Sequence, residues 1–261
     1  MSVPEDRGPE PPPLYPRIVA GAVPDERGED AVALAEVLAT TAGGELERVH
    51  IEKRSPAKKL FAMAEEGRAD LIVLGSTHRA GAGRVTPGSV AEHLLNGARC
   101  RLAIAPRGYA AARAAGAVRE ELRVIGVGFD GTLESQTAVD EAAELGRRAG
   151  ATLRIVAVDP PMPSELGPAA TIAAAEGARL QERLHEACGE LPTELRAQPV
   201  YKRGEPVQTL IAQAERGMDL LVLGSHGFGP VLRLLLGSVA GKVIRAAPCP
   251  VLVMPRLGNE P

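Results

Sequence analysis

The chain repeats itself, and that repeat limits its architecture more than any other feature. DLIVLGS at Asp70–Ser76 returns as DLLVLGS at Asp219–Ser225, an offset of 149 positions. The same offset carries Gly88-Ser89-Val90-Ala91 onto Gly237-Ser238-Val239-Ala240, Cys100 onto Cys249 and Pro106 onto Pro255. Upstream the offset shrinks to 107, which takes Ala31-Val32 onto Ala138-Val139 and Ala42-Gly43 onto Ala149-Gly150. The first copy is therefore 42 residues shorter, all of them missing between Gly43 and Asp70. Self-similarity over such a period means one supersecondary unit used twice.

Hydrophobic period and punctuation give the content of each copy. In the second, the apolar runs at 123–128, 153–158, 195–201, 220–223 and 251–254 read as strands. Helices are expected at 133–149, about 169–188, 207–215 and 239–246. Strand alternating with helix predicts an α/β fold, a doubly wound parallel sheet with helices on both faces. In the first copy, strands are expected at 18–23, 46–51 and 71–74, with helices at about 30–42 and 57–66. SPAKKLFAMAEE resembles EPVQTLIAQAER, so the strand at 46–51 answers the third strand of the second copy, and the missing stretch is a whole second strand and helix. Residues 1–16 hold six prolines and read as a disordered tail. The Ala- and Arg-rich stretch 107–121 reads as a partly helical connection.

Composition removes several classes of function. With 30 Lys+Arg against 33 Asp+Glu and a formal charge of −3, the chain has no basic field for nucleic acid. No stretch has the roughly 18–20 apolar residues of a membrane helix, and MSVPEDRGPEPPPLYPR lacks the apolar core of a signal peptide, so a cytoplasmic location is expected. Cys100, Cys188 and Cys249 are too few and too scattered for a zinc site and read as reduced thiols filling core space.

The pattern richest in chemistry is Gly224-Ser225-His226-Gly227 followed, nine residues on, by Gly237-Ser238-Val239. Gly224 ends a strand, Gly227 turns the chain, and Gly237-Ser238 opens a helix, where free N–H groups and the helix dipole favour an anion. A helix N-cap explains Gly-Ser by itself. In this pattern the second copy resembles the nucleotide-binding universal stress proteins, which carry G-x2-G-x9-G-[S/T] after their fourth strand. APCPVLVMP, their last strand, is also present. The resemblance implies a Rossmann-like fold of the adenine nucleotide alpha hydrolase type, with strand order 3-2-1-4-5 in the second domain. It further implies that Asp130 and the backbone of Ala157 meet the adenosine part of ATP. Gly224, His226, Gly227, Gly237, Ser238 and Val239 would line the triphosphate, with Mg²⁺ accompanying it. Arg233, within the apolar stretch 228–236, is a candidate for approaching the phosphates.

The first copy departs from that pattern. Val23 stands where Asp130 stands, the adenine-side strand is missing, and His78 replaces the glycine answering to Gly227. Ser89 with Glu92 reads as a capping box, which would account for Gly88-Ser89 structurally. The resemblance thus implies a tail at 1–16, a degenerate domain at 17–107 that does not bind ATP, a linker at 108–121 and a complete domain at 122–256. It also implies an intramolecular pseudo-dimer paired through fifth strands at 102–105 and 251–254, which leaves a homodimer and an unidentified protein partner open.

Two other classes compete. A non-nucleotide interaction module would keep the glycines as architecture. A dinucleotide oxidoreductase would use Gly126-Val-Gly128-Phe-Asp-Gly131, a literal G-x-G-x-x-G, but Gly126 falls inside the strand and Asp130 would face a pyrophosphate. Gly237–Lys242 is one residue short of a Walker motif, and no nucleophile–base arrangement emerges. No catalytic residue is expected, and at most slow, incidental ATP hydrolysis.

Overall fold

A computed structural model of the chain describes residues 11–50, 56–161, 168–225 and 238–255. The first half runs β1 (Arg17–Ala22), α1 (Glu26–Ala42), β2 (Glu45–His50), α2 (Pro56–Glu65), β3 (Leu71–Gly75), α3 (Ser89–Leu95) and β4 (Arg101–Ala105). A joining helix, α4 (Tyr109–Ala114), leads into the second half. That half runs β5 (Val124–Phe129), α5 (Leu133–Ala149), β6 (Thr152–Asp159), α6 (Pro168–Gly189), β7 (Ala197–Arg203), α7 (Pro206–Ala214), β8 (Leu220–Gly224), α8 (Ser238–Ile244) and β9 (Val251–Met254).

The repeat in the letters is a repeat in local physics. The side chain of Asp25 caps α1 by accepting from the Arg27 N–H, and its counterpart Thr132 caps α5 by accepting from the Ser135 N–H. Both helices stop at a left-handed glycine, Gly43 with φ 74° and Gly150 with φ 63°. The aspartate that opens each repeated motif is structural. Asp70 Oδ2 accepts the Arg17 N–H at 2.8 Å, and Asp219 Oδ2 accepts the Arg123 and Val124 N–H groups at 2.8 Å. Each carboxylate ties the start of its own strand to the start of its neighbour.

All the strands lie in one nine-stranded sheet, ordered β2-β1-β3-β4-β9-β8-β5-β6-β7. Every pairing is parallel except β4 with β9, which is antiparallel and joins the halves. There Leu102, Ala103 and Ile104 face Val253, Leu252 and Val251. Ala103 thus lies opposite its own repeat counterpart, Leu252, and a pseudo-two-fold axis passes through that pair. The expected pairing of the fifth strands joins the two parallel sheets into one mixed sheet, because edge strands left open would expose unpaired N–H and C=O groups.

Alternation along the strands splits the core into two layers. Ile18, Ala20, Leu71, Val73, Ile125, Val127 and Leu252 pack with residues of α1, α5 and α6 on one face. Val19, Ile72, Leu74, Ile104, Leu221, Leu223 and Val251 pack with α2, α3, α7 and α8 on the other. Both layers cross from one half to the other, so the repeats share their core. Burying each such aliphatic side chain stabilises by roughly 1.5–3 kcal/mol.

Residues 11–16 of the tail expected at 1–16 pack on the fold. Tyr15 is fully buried, the Leu14 N–H donates to Ala42 O at 2.8 Å, and Arg148 of α5 donates to Pro12 O and to Ala42 O. Tyr15 packs at the seam of the two halves, near Arg101 of β4 and Glu141 of α5, and the prolines around it hid this core residue from the sequence. Beside its ring, 5.3 Å from the centroid, sits the Arg101 guanidinium. Arg101, at the start of β4, grips the buried Glu141 of α5 with two N–H groups, the Nη2–Oε2 bond being 2.9 Å. Burial, and then Glu141, push the Tyr15 hydroxyl well above the usual tyrosine range.

The first half also shows how it stands without a counterpart of α6. In the second half, Ile155 and Ala157 of β6 are fully buried on the α5–α6 side. On the same side of β2 the sequence places Arg48 and His50, which border a groove of about 460 Å³ against α1. Arg48 donates to Glu36 of α1 at 3.0 Å, so this face is solvated by charge instead of being covered by a helix. Helix α4 packs on α1, held by the fully buried Asp30, whose carboxylate accepts the Gly108 and Ala110 N–H groups at 2.8 and 2.9 Å.

Two predictions follow from these contacts. Arg101→Ala leaves the Glu141 charge buried without its partner and is expected to cost on the order of 3 kcal/mol in urea unfolding, whereas Arg101→Met with Glu141→Leu recovers most of it. Burial raises the Asp30 pKa above its unfolded value of 3.8. The folded chain therefore holds that proton more tightly, and this group's contribution to stability falls as pH rises through the raised value. Asp30→Asn should flatten that part of the stability–pH curve.

Candidate functional site

In a doubly wound sheet the chain leaves the first strand in one direction and later returns on its other side, which opens a crevice at the carboxyl ends of the strands. Here the reversal falls between β5 and β8. A cleft of about 570 Å³ occupies it, walled by the ends of β5, β6 and β8, by α6 on one side and by the first turns of α7 and α8 on the other.

Asp130, the first residue after β5, lines this cleft. Its Oδ1 accepts from the Thr132 N–H at 3.0 Å and the Thr132 hydroxyl at 2.6 Å, and Thr132 in turn caps α5. Gly131 between them has φ 78°, the left-handed region, and its carbonyl accepts from Arg183 of α6 at 3.2 Å. The carboxylate is thus held by the turn it begins. Val23, at the same place in the first half, offers only its carbonyl to the Asp25 N–H at 2.8 Å.

Gly224, Ser238 and Val239 line the cleft as well. Ala157 does not. It is fully buried with its side chain in the core, two residues before β6 ends, and Val158 and Asp159 are the residues of that strand that line the cleft. His226, Gly227, Gly237 and Arg233 lie outside the described residues. The capping box expected at Ser89 and Glu92 is not formed. Gly88 is the N-cap of α3, without a side-chain bond, and Ser89 is already the first helical residue, one position too late for the box. Glu92 instead pairs with Arg245 of the second half at 3.2 Å.

Several glycines have packing reasons. A Cβ on Gly224 would stand 2.8 Å from Glu134 O, and one on Gly75 would stand 2.1 Å from Arg27 O, because each strand end runs under the first turn of its helix. On Gly126 a Cβ would meet Met218 Sδ at 2.1 Å, and on Gly128 it would meet Leu223 at 2.7 Å. Two glycines of the literal G-x-G-x-x-G thus lie against core side chains, and the third, Gly131, takes the left-handed turn after β5.

Two features were not assigned to this cleft from the sequence, which marks Asp159 only as the acidic residue that a dinucleotide site would need after its second strand. Asp159, only 5% exposed, accepts from the Tyr201 hydroxyl at 2.9 Å and from Arg203 Nε at 3.0 Å. Burial, then the bond to Asp159, raises the Tyr201 pKa. Glu176, Arg179 and Arg183 of α6 also face the cleft, at a helical spacing of three and four that the sequence does display. Ser225 is 5% exposed, and its hydroxyl has no hydrogen-bond partner among the described residues. Its counterpart Ser76 donates to Ala105 O at 2.7 Å and accepts from the Thr86 N–H at 3.0 Å. The residue answering to Thr86, at position 235, lies outside the described residues.

The family model of the universal stress protein family matches residues 2–106 and again 121–255. The chain belongs to the universal stress protein family, as a tandem pair. Universal stress protein Rv2319c of Mycobacterium tuberculosis (strain ATCC 25618 / H37Rv) is 31% identical over 226 residues, covering 82% of this chain and 73% of that protein. The solved structure of a functionally unknown protein from Pseudomonas aeruginosa PAO1 superposes with TM-score 0.64 at 16% identity, covering 92% of each chain. That of a universal stress protein from Archaeoglobus fulgidus DSM 4304 gives 0.58 at 16% identity, covering 92% of this chain and 98% of the other. At such identities the likeness is one of fold. Among the described residues no helix is long and apolar enough to cross a membrane, and no group of His, Cys, Asp and Glu is arranged to hold a metal.

Gly75→Ala and Gly224→Ala test the packing role of the repeated glycines. Both are expected to destabilise by about 1–3 kcal/mol in urea unfolding, Gly75→Ala the more strongly because its clash with backbone is closer.

Proposed function

We propose that this universal stress protein binds one adenine nucleotide, ATP with its Mg²⁺, in the second half, and acts in the cytoplasm as a nucleotide-responsive stress regulator. The observation that carries this reading is the cleft at the β5/β8 switch point. It brings Asp130, Gly224, Ser238 and Val239 to one opening, four of the residues that the family pattern assigns to the nucleotide. In this reading Asp130 meets the adenosine part, and Asp159, braced by Tyr201 and Arg203, offers a second acceptor on the same side. Ser238 and the glycines around it take the phosphates, and His226, Gly227 and Gly237 are assigned there by the motif alone. The first half lacks both the carboxylate, with Val23 in its place, and the strand answering to β6, and is read as an unliganded partner domain.

Calorimetric titration of the whole chain with ATP and magnesium is expected to show one site per chain. Asp130→Ala should weaken it at least tenfold, about 1.4 kcal/mol, with the urea midpoint shifted little. AMP and cyclic AMP, added as competitors, rank the number of phosphates required. Two sites of equal affinity would contradict the assignment of the first half. No binding to folded, ligand-free protein would overturn the nucleotide reading in favour of an interaction module.

A further inference from the structure

We infer that Ser76–Gly88 of the first half is a strap that positions the nucleotide cleft of the second half, with Arg84 and Val85 as its positioning residues. The inference rests on the reading of that cleft as a nucleotide site. The strap joins β3 to α3. It is folded tightly on itself: Ser76 Oγ bonds both Ala105 O and the Thr86 N–H, the Thr77 N–H donates to Thr86 O at 3.0 Å, and the Arg107 guanidinium donates to His78 O and Ala80 O at 3.1 Å. The Gly83 N–H returns to Arg107 O at 2.9 Å. These bonds hold the tip, Arg84–Val85, in place.

That tip crosses to the other half. Val85 is fully buried in the layer that contains Val243, Ile244 and Ala247, and its N–H donates to Ala247 O at 2.9 Å. Arg84 donates to Ala246 O at 3.1 Å and to the Glu215 carboxylate at 2.7 Å. Ala246 and Ala247 follow the end of α8, whose first residues, Ser238 and Val239, wall the cleft. Glu215 follows α7, whose Pro206 and Leu210 wall it too. The strap therefore holds the far ends of the two helices whose near ends form one side of the cleft. The Glu92–Arg245 pair adds a third tie to the end of α8. A short helix moves as a rigid rod, so fixing one end fixes the wall at the other. The degenerate half then has a task that does not require it to bind nucleotide.

The test is made in the full chain. Arg84→Ala is expected to weaken ATP binding about tenfold, Arg84→Lys to restore it to within about threefold, and Arg84→Ala with Glu215→Ala to be no weaker than the worse single variant. Arg17→Ala, which breaks an ion pair to Asp70 within the first half, serves as a stability control and should leave ATP affinity unchanged. A purely structural tie would not respond to ligand. Linkage requires that a positioning tie does, so saturating ATP should slow amide exchange at Val85 in the wild type. Wild-type affinity in Arg84→Ala together with unchanged exchange at Val85 overturns the strap alone. Absence of ATP binding to the wild type overturns the reading of the cleft and the strap with it.

Discussion

The antiparallel pairing of β4 with β9 is the constraint on which the rest of the molecule depends. Each repeat ends in an apolar edge strand, and an edge that is apolar and unpaired cannot remain in water. Turning one half by a two-fold rotation places Ala103 opposite Leu252 and satisfies both edges at once. The outer edges of the joined sheet are β2 and β7, with Glu45, Glu47, Arg48 and His50 in one, Pro199, Lys202 and Arg203 in the other. Charges and a proline there end the sheet where pairing with another chain would otherwise extend it.

Once the edges are joined, the shortened half no longer has to be stable alone. Its layers continue into those of the second half, and Arg101 reaches across to Glu141 while lying over the Tyr15 ring. Loss of a strand and a helix is met in three ways. Arg48 and His50 replace apolar residues on the face that has no helix above it. Tyr15 and Tyr109 fill core space from the segments before β1 and after β4. Asp30 fixes α4 by its first N–H groups, as a buried carboxylate with two donors can do in place of a counter-charge.

The division of labour between the halves follows from the same geometry. A crevice needs strands on both sides of the reversal and a helix above each. In the second half β6 and α6 supply one side, and the turn at Asp130–Thr132 sets a carboxylate at the mouth. In the first half β2 takes the place beside β1, the turn after β1 closes on α1, and Gly28 is required because Val23 O would lie 2.0 Å from any Cβ there. The repeated glycines Gly75 and Gly224 survive in both halves because a helix crosses each strand end closely. Their retention reports packing, and it is the carboxylate and the second strand that differ between the half with the cleft at its switch point and the half with only a groove against α1.

The sequence by itself determined the repeat, the alternation of strand and helix and the missing unit, because each is written in local periodicity or in direct self-comparison; the meeting of the last strands came from the family resemblance. Asp130, Gly224, Ser238 and Val239, which the family resemblance picked out, line one cleft. What only the tertiary structure decided concerns groups distant in sequence. Asp159 gains meaning from Tyr201 and Arg203, 42 and 44 residues on, and Tyr15 from a core formed by both halves. That Val158 and Asp159 face the cleft, while Ala157 faces the core, depends on where β6 ends against β7, which strand pairing sets and propensity does not. The box at Ser89 is not formed because Gly88 takes the N-cap of α3, and Glu92 meets Arg245 across the interface. A residue's neighbours within a turn follow from its own segment, but its neighbours across a sheet follow from register, and register is fixed only when the whole sheet has closed.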